Sequence, residues 1–278
     1  MFHQKKIGHT GTLDPDAEGV LLVCLGNATK LCDMLENRSK EYECRMLLGT
    51  TTDTEDTSGA VIATKDVNCS EQEIMEAINS FVGEYDQIPP MYSALKVNGK
   101  KLYELARQGI EIERQARKIF INSIRDISID GMYATFKVDC SKGTYIRSLC
   151  RDIGEKLGCG ACMDHLTRLR VSDFSIESAL KLDDIKKYAT AEELDRFIIP
   201  TENAFMDAPA LYINENSRKF IDNGNPLIVS NFRMDKGYEA SKAMDGQRFR
   251  IYNADDRFVA TYIFCEEKNE FKPEKMFF

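Results

Sequence analysis

The sequence lacks the segments that export or membrane insertion would require. No apolar run approaches the roughly 18 residues of a membrane helix, and residues 1–6 do not have the composition of a signal peptide. The nine cysteines are odd in number and follow no regular framework, which argues against a disulfide-stapled secreted fold. We therefore expect a cytoplasmic protein that does not associate with membranes and whose thiols mostly serve as small core residues.

Signatures of metal and nucleotide binding are also missing. Cys159 and Cys162 form the one CxxC pair, and no second CxxC or HxxxH is present to complete a four-ligand zinc site. We therefore expect no metal. The sequence contains no Walker loop, no GxSxG elbow, no internal repeat and no low-complexity segment.

The composition is that of a globular protein whose charge is segregated along the chain. The 278 residues, 43% apolar and 29% charged, suffice for one large domain and one small one. The formal net charge of −8 argues against a protein that nucleic acid coats on every side. Residues 94–120 nevertheless carry seven Lys or Arg against three Glu, whereas residues 36–76 carry ten acidic residues against four basic ones. The basic segment is either a local groove for nucleic acid or a solvated face.

Hydrophobic periodicity and turn residues predict strands and helices in an irregular order. The predicted strands cover 19–26, 40–48, 118–129 and 132–140, the last two forming a hairpin. The predicted helices cover 27–36 with Asn27 as N-cap, 70–81 with a Ser70/Glu73 capping box, 101–108, and 145–157 ending at Gly158. Residues 50–59 are a predicted polar loop and 88–91 an extended one.

This order lacks a regular βαβ alternation, which favours an α+β fold built around an antiparallel sheet. The pattern changes near residues 200–209. Beyond them, short alternating stretches are separated by Asn-Gly, Asp-Gly and Asp-Asp turns. We expect a first domain over residues 1–205 and a small β-rich domain over residues 206–278.

The segment most suggestive of chemistry is Gly-His-Thr-Gly-Thr-Leu-Asp-Pro at residues 8–15. Its glycines, threonines and proline predict a tight loop that presents the carboxylate of Asp14. Threonine hydroxyls and backbone amides can keep such a carboxylate ionised, and an oriented carboxylate can act as a nucleophile or a general base. The same composition also suits a turn aspartate that bonds only to its own backbone.

A second segment, residues 141–149, is a glycine-containing loop that opens a helix with Tyr145 and Arg147 in its first turn. An arginine cannot lose its proton, so Arg147 can pair permanently with a carboxylate. The helix dipole disfavours a cation at this end, which points to a carboxylate or phosphate partner for Arg147. A surface arginine at a helix start is the plainer interpretation.

Two further segments suit contact with RNA. The rigid loop at residues 89–99 carries small residues and Lys96, a pattern that suits a phosphate backbone. Tyr42, in a Lys-Glu-Tyr sequence on a predicted strand, is either a core residue or a ring on which a base stacks.

Taken together and in this order, these segments resemble the TruB family of tRNA pseudouridine-55 synthases. The resemblance rests on GHTGTLDP at 8–15, KEY at 40–42, PPMYSALKVNGKKLYELARQG at 89–109, KGTYIRSLCRDIGEKLGCGA at 142–161 and LTRLR at 166–170. It spans roughly residues 6 to 205. It implies a pseudouridine synthase-like catalytic domain, followed by a small PUA-like RNA-binding domain.

The resemblance also implies roles for individual residues. It makes Asp14 the nucleophile, Tyr42 the residue that stacks on the target base and helps to deprotonate it, and Arg147 the partner of the aspartate. It implies contacts to the substrate as well, from His9, Tyr145 and Leu166.

The implied reaction isomerises uridine to pseudouridine at position 55 in the TΨC loop of tRNA. The uridine is flipped out of the arm at a cost of a few kcal/mol, and the aspartate attacks the ribose C1′. The reaction involves no redox change and no nucleotide energy, so we expect no cofactor. The expected partner is the TΨC arm of tRNA, and the expected state is a monomer.

The chain departs from the family pattern in two places. Family members usually carry a further segment before the GHTGTLD loop, with a lysine-proline-glycine motif and a first strand. This sequence has seven residues before Gly8, so we expect an N-terminally short chain with an exposed sheet edge. Thr167 stands where the family commonly has arginine, which is expected to weaken one RNA contact.

Two other functions fit parts of the sequence. Asp14-Pro-Asp16 is a DxD, as in magnesium-dependent aspartyl-phosphate phosphatases, but those have an apolar strand directly before the first aspartate. The second is a protein that binds and folds tRNA without modifying it, in which Asp14 would be dispensable.

Overall fold

The computed structural model describes residue 2, residues 4–97 and residues 99–278. The strands are β1 (Ile7–His9), β2 (Glu18–Gly19), β3 (Val23–Leu25), β4 (Lys40–Leu48), β5 (Thr50–Thr52), β6 (Val61–Thr64), β7 (Gly83–Gln87), β8 (Lys96–Val97), β9 (Lys100–Lys101), β10 (Arg117–Asp130), β11 (Tyr133–Cys140), β12 (Ala161–Val171), β13 (Phe174–Ser175), β14 (Ala210–Ile213), β15 (Phe232–Gly237), β16 (Arg248–Tyr252), β17 (Phe258–Cys265) and β18 (Glu270–Met276). The α-helices are α1 (Cys32–Glu36), α2 (Glu71–Asn79), α3 (Leu102–Ala106), α4 (Ile146–Leu157), α5 (Leu182–Thr190) and α6 (Arg218–Asp222). None of these helices is long and apolar enough to span a bilayer.

The chain divides into two compact units. The larger unit comprises His9–Val23 and Asp33–Ala179. The smaller unit comprises Leu180–Phe278, Cys24–Cys32 and the described residues before His9. The boundary between residues 205 and 206 stays a prediction from the sequence.

The larger unit is built on a sheet with the strand order β13-β12-β4-β11-β10-β7, to which β2 adds in parallel beside β12. All the pairs along the main path are antiparallel. Buried residues alternate along the central strand β4, as expected for a strand with one face on the core. The predicted antiparallel sheet and the bounds of the 40–48 strand are confirmed.

Helix α4 packs on this sheet through an apolar stripe that contains Leu149 and Ile153, both fully buried. The helix ends at Gly158, which adopts a left-handed conformation with φ 77° that suits glycine. Helix α2 begins with the Ser70/Glu73 capping box. The predictions for these two helices are confirmed, with an end two residues earlier in α2.

The smaller unit contains a five-stranded sheet with the order β15-β14-β16-β17-β18. Its core is rich in aromatic rings, with Phe249 and Phe271 fully buried and in edge-to-face contact. The prediction of a β-rich C-terminal region is confirmed.

Four local predictions were wrong in detail. The run at 19–26 is not one buried strand, because it is broken into β2 and β3 and leaves Leu21 and Val23 exposed. Asn27 does not cap a helix, since a 3-10 turn starts at Gly26 and the α-helix begins only at Cys32. The polar loop at 50–59 begins with strand β5, which pairs with β6. The helix predicted at 101–108 is shorter, covering α3 only.

Substituting Gly154→Ala is expected to destabilise the fold although it improves helix propensity. A Cβ atom at residue 154 would lie 2.1 Å from the backbone nitrogen of Ala161, at the start of β12. We expect the free energy of unfolding to fall by about 2 kcal/mol, because this clash outweighs the propensity gain of about 1 kcal/mol. Urea unfolding followed by circular dichroism measures it. The exposed Glu155→Ala in the same helix is the control and should change stability by less than about 0.5 kcal/mol.

Candidate active site

Asp14 lies in a turn that the sequence of its loop makes tight. Gly11 adopts φ +95°, a region that L side chains rarely occupy. The Asp14 carbonyl accepts a hydrogen bond from the Ala17 amide at 3.0 Å, which closes a turn around Pro15. In this turn the side chain of Asp14 is 39% exposed.

The partner of the Asp14 carboxylate is Arg147, at the start of α4. Arg147 Nε lies 2.9 Å from Asp14 Oδ2, and Arg147 Nη2 donates to Asp14 Oδ1 at 3.1 Å. This is the bidentate geometry that a guanidinium can offer and an ammonium cannot. The arginine side chain is only 7% exposed. The helix dipole indicated an anionic partner for Arg147, and in the structure that partner is the carboxylate of Asp14. Asp14 therefore bonds to this arginine rather than to its own turn.

Three further oxygens hold the guanidinium in place. Nη1 donates to the carbonyl of Thr54 at 3.0 Å and lies 3.5 Å from Asp56 Oδ2, and Nη2 donates to the carbonyl of Tyr92 at 2.9 Å. With so many fixed acceptors, Arg147 has little freedom to turn away from Asp14. No sequence pattern singled out Asp56, which lies in the polar loop after β5.

Asp14 and Arg147 line a cavity of about 1230 Å³ in the larger unit. Tyr42, Tyr145 and Leu166 line the same cavity. Tyr42 is on β4 and Leu166 on the neighbouring strand β12, while Tyr145 immediately precedes α4. Burial raises the pKa of Tyr42 to about 12 and also raises the pKa of Tyr145. The fold therefore brings together five of the predicted site residues.

A buried amide fixes the backbone at Tyr145. The side chain of Gln87 accepts a hydrogen bond from the Tyr145 amide at 2.8 Å and donates to the Tyr145 carbonyl at 3.0 Å. Gln87 is 1% exposed and ends strand β7. Helix α4 has no side-chain N-cap, and the Gln87 side chain bonds to the backbone at its start instead.

The other two predicted site residues lie outside the cavity lining. His9 is exposed at the end of β1, and Lys96 is exposed on β8. Four exposed cations do line it: Arg107, Arg117, Lys118 and Lys142. The first three come from the basic segment at 94–120, so that segment borders the cavity.

Sequence reasoning missed two buried cations in the cavity wall, Lys40 and Arg168. Lys40 Nζ donates to the carbonyls of Glu36 and Arg38. Burial lowers the pKa of Lys40, and the charge of Arg168 lowers it further. The alternation of side chains along a strand could have identified both as buried. Lys40 lies on the same face of β4 as the buried Tyr42, and Arg168 lies on the same face of β12 as the buried Leu166.

No group of three or more His, Cys, Asp and Glu side chains suitable for a metal is found in the described part of the chain. Cys159 and Cys162, the pair considered for zinc, are both buried thiols.

The cavity brings together the oriented carboxylate of Asp14, the fixed guanidinium of Arg147, the phenols of Tyr42 and Tyr145, and an apolar wall. A carboxylate held in this way can attack an electrophilic carbon without losing its orientation. The aromatic and apolar walls suit a planar ring, and the bordering cations suit phosphates.

The comparisons with known proteins all point to one family, and together they cover most of the chain. Residues 1–146 match the family described as TruB family pseudouridylate synthase (N terminal domain). Residues 147–206 match the tRNA pseudouridylate synthase B C-terminal domain. A relative called tRNA pseudouridine synthase B, from Lachnoclostridium phytofermentans, is 46% identical over 100% of this chain and 92% of its own length. A relative of the same name from Clostridium tetani is 50% identical over 79% of this chain and 75% of its own length.

Solved structures share the fold. A chain in the crystal structure of a Cbf5-Nop10-Gar1 complex matches with a TM-score of 0.70 and 28% identity, covering 99% of this chain and 77% of that one. A chain in the structure of an H/ACA RNP bound to a substrate RNA containing 2′-deoxyuridine matches with a TM-score of 0.69 and 25% identity, with the same coverage of both chains.

Proposed function

The chain belongs to the TruB family of pseudouridylate synthases, and on that premise we propose that it converts uridine 55 in the TΨC arm of tRNA to pseudouridine with Asp14 as nucleophile. The observation that carries the assignment of Asp14 is its bidentate ion pair with the buried Arg147 at the wall of the cavity. The fixed guanidinium holds the carboxylate, the nucleophilic form of the group, in one orientation.

The reaction begins when the target uridine leaves the stack and enters the cavity, at a cost of a few kcal/mol. The Asp14 carboxylate attacks C1′ of the ribose, and the electron pair of the N-glycosidic bond leaves with the uracil. The uracil rotates within the cavity, and its C5 forms a bond to C1′ as the carboxylate departs. The C5 proton is then removed and N1 gains a proton, which restores the aromatic ring, so atoms and electrons balance without a cofactor.

The other cavity residues fit supporting roles. The ring of Tyr42 stacks on the uracil and helps to remove the C5 proton, while Tyr145 and the apolar Leu166 enclose the base. His9 and Lys96, exposed outside the cavity lining, contact the displaced RNA loop and its phosphates. The β-rich C-terminal region, taken as a PUA-like domain over residues 206–278, adds RNA contacts. We place the enzyme in the cytoplasm as a monomer.

Incubation with an unmodified tRNA transcript tests this function. Carbodiimide mapping should find pseudouridine at position 55, and a transcript with cytidine at that position should stay unmodified. Pseudouridine formation should be indifferent to a chelator, whereas a magnesium-dependent phosphatase would lose activity. Tight tRNA binding without pseudouridine at any position would instead support the non-catalytic RNA-binding alternative.

A further inference from the structure

Arg168 is a buried cation placed directly beside the stacking tyrosine. It is 1% exposed, the largest fully buried side chain of the described chain, and it lines the cavity. Its strand β12 runs antiparallel to β4, and Arg168 is the cross-strand partner of Tyr42 in that register. Side chains of directly opposed residues lie on the same face of a sheet about 5 Å apart.

The same guanidinium holds the loop that carries Asp14. Nε of Arg168 donates to the carbonyl of Val20 at 2.7 Å, and Nη2 donates to the carbonyl of Gly11 at 3.1 Å. Gly11 precedes Asp14 and Val20 follows it, so one side chain ties both ends of the loop to β12. The backbone adds to this attachment, because the Val20 amide donates to the Arg168 carbonyl at 2.8 Å.

These two acceptors are neutral, so they do not cancel the charge of Arg168. Burying a cation without a countercharge costs several kcal/mol, and the neighbouring buried Lys40 adds repulsion. A residue that served only to brace the loop would not need this charge. The charge therefore points to a group in the cavity that becomes negative during the reaction.

Tyr42 is the neighbour that can become negative. Burial raises its pKa to about 12, and the nearby Cys140 and Asp14 act in the same direction. The positive charge of Arg168 acts against them and lowers the pKa of that phenol. Of the groups that face Tyr42, Arg168 is thus the one that favours phenolate.

We propose that Arg168 is a positioning residue for deprotonation of C5: it orients the Tyr42 hydroxyl and stabilises negative charge on it, while it holds the Asp14 loop against β12. This inference rests on the proposed role of Tyr42. In that step the C5–H bond breaks and its electron pair re-forms the C5=C6 double bond. The C6=N1 π pair moves to N1, which takes a proton from water. The hydroxide so formed takes the phenolic proton of Tyr42, and the phenolate takes the C5 proton, so both the water and the phenol are regenerated.

Single-turnover kinetics on tRNA with ordinary uridine and with 5-deuterouridine at position 55 test the proposal. Arg168→Met should slow the reaction about 100-fold, the scale of a general-base contribution, while the dissociation constant for tRNA stays within about threefold. The deuterium isotope effect should be larger in Arg168→Met than in the wild type, because proton removal becomes rate-limiting.

Two further variants serve as controls. Arg168→Lys keeps the positive charge but not the forked donor geometry of a guanidinium, and should give an intermediate rate. Arg170→Met, on the same strand with Asp139 and Glu41 as partners, is the matched control and should keep the wild-type rate.

The outcomes distinguish a failure of the inference about Arg168 from a failure of the role proposed for Tyr42. A rate loss in Arg168→Met with no change in the isotope effect would mean that the residue only supports the loop, and would overturn the inference. If Arg168→Met fails to fold, the isotope effect of Arg168→Lys decides in the same way. Tyr42→Phe, measured alongside, should be as slow as Arg168→Met. A fully active Tyr42→Phe would remove the role proposed for Tyr42, whereas a slow Tyr42→Phe with a fast Arg168→Met would remove only the inference about Arg168.

Discussion

Asp14→Asn should abolish pseudouridine formation while tRNA binding survives. Asparagine has nearly the shape of aspartate, and its amide oxygen can still accept from Arg147, but it supplies no anionic nucleophile. We expect turnover to fall about 10⁴-fold or more. The dissociation constant for tRNA should change by less than about tenfold, or 1.4 kcal/mol. Pseudouridine mapping after single turnover and filter binding measure the two quantities.

Asp16→Asn is the matched control, since Asp16 lies in the same loop and lines the same cavity but is exposed. It should keep most of its activity if Asp14 alone is the nucleophile, whereas a DxD phosphatase would need both aspartates. Asp14 is more than one-third exposed, so loss of its ion pair should cost only about 1 kcal/mol of stability after allowance for solvent screening. Normal turnover in a folded Asp14→Asn protein would refute the nucleophile assignment.

The elements that position the site were predictable where local patterns were strong. Strand β4 follows from the alternation of residues 40–48, and α4 from an apolar stripe that ends at Gly158. These two elements carry Tyr42 and Arg147. Prediction worked there because the period of each segment agrees with the face that it buries.

Prediction was poorer where backbone conformation departs from regular periods. The apolar composition of residues 19–26 suggested a strand, but Gly19 has φ +107° and lies against the backbone of Arg168, where a Cβ would be 2.2 Å from the carbonyl oxygen. That close approach breaks the strand after two residues. At Asn27 the preference for a helix cap was overridden by a 3-10 turn that begins at Gly26 with φ +57°.

The partners of the catalytic candidates depend on long-range pairing that no local window contains. Asp14 and Arg147 are 133 residues apart. The sequence indicated only that Arg147 has an anionic partner, without showing which residue that is. Asp56 and Gln87 gave no signal at all, since a polar loop and an edge strand commonly carry such residues. Arg168 was visible only as part of the LTRLR motif, although its position on an alternating strand predicts a buried side chain.

Arg147→Lys should impair catalysis severely although it conserves charge. An ammonium is a single point of contact and cannot reach both Asp14 oxygens together with the carbonyls of Thr54 and Tyr92. Asp14 would keep its charge but lose its fixed direction, and a misplaced reactive group costs about 100-fold in rate. We therefore expect kcat to fall about 100-fold with little change in KM.

The control for Arg147→Lys is Arg151→Lys, one turn further along α4. Arg151 pairs with Glu55 and Asp152 and lies outside the cavity lining, so this change should lower stability more than it lowers kcat. The double variant Asp14→Asn/Arg147→Lys adds a test of coupling. Because Arg147 acts through Asp14, its substitution should slow the Asp14→Asn protein little further, which makes the two effects strongly non-additive. Additive losses would show that Arg147 serves the reaction by a route that does not pass through the carboxylate, and the ion pair would then be structural only.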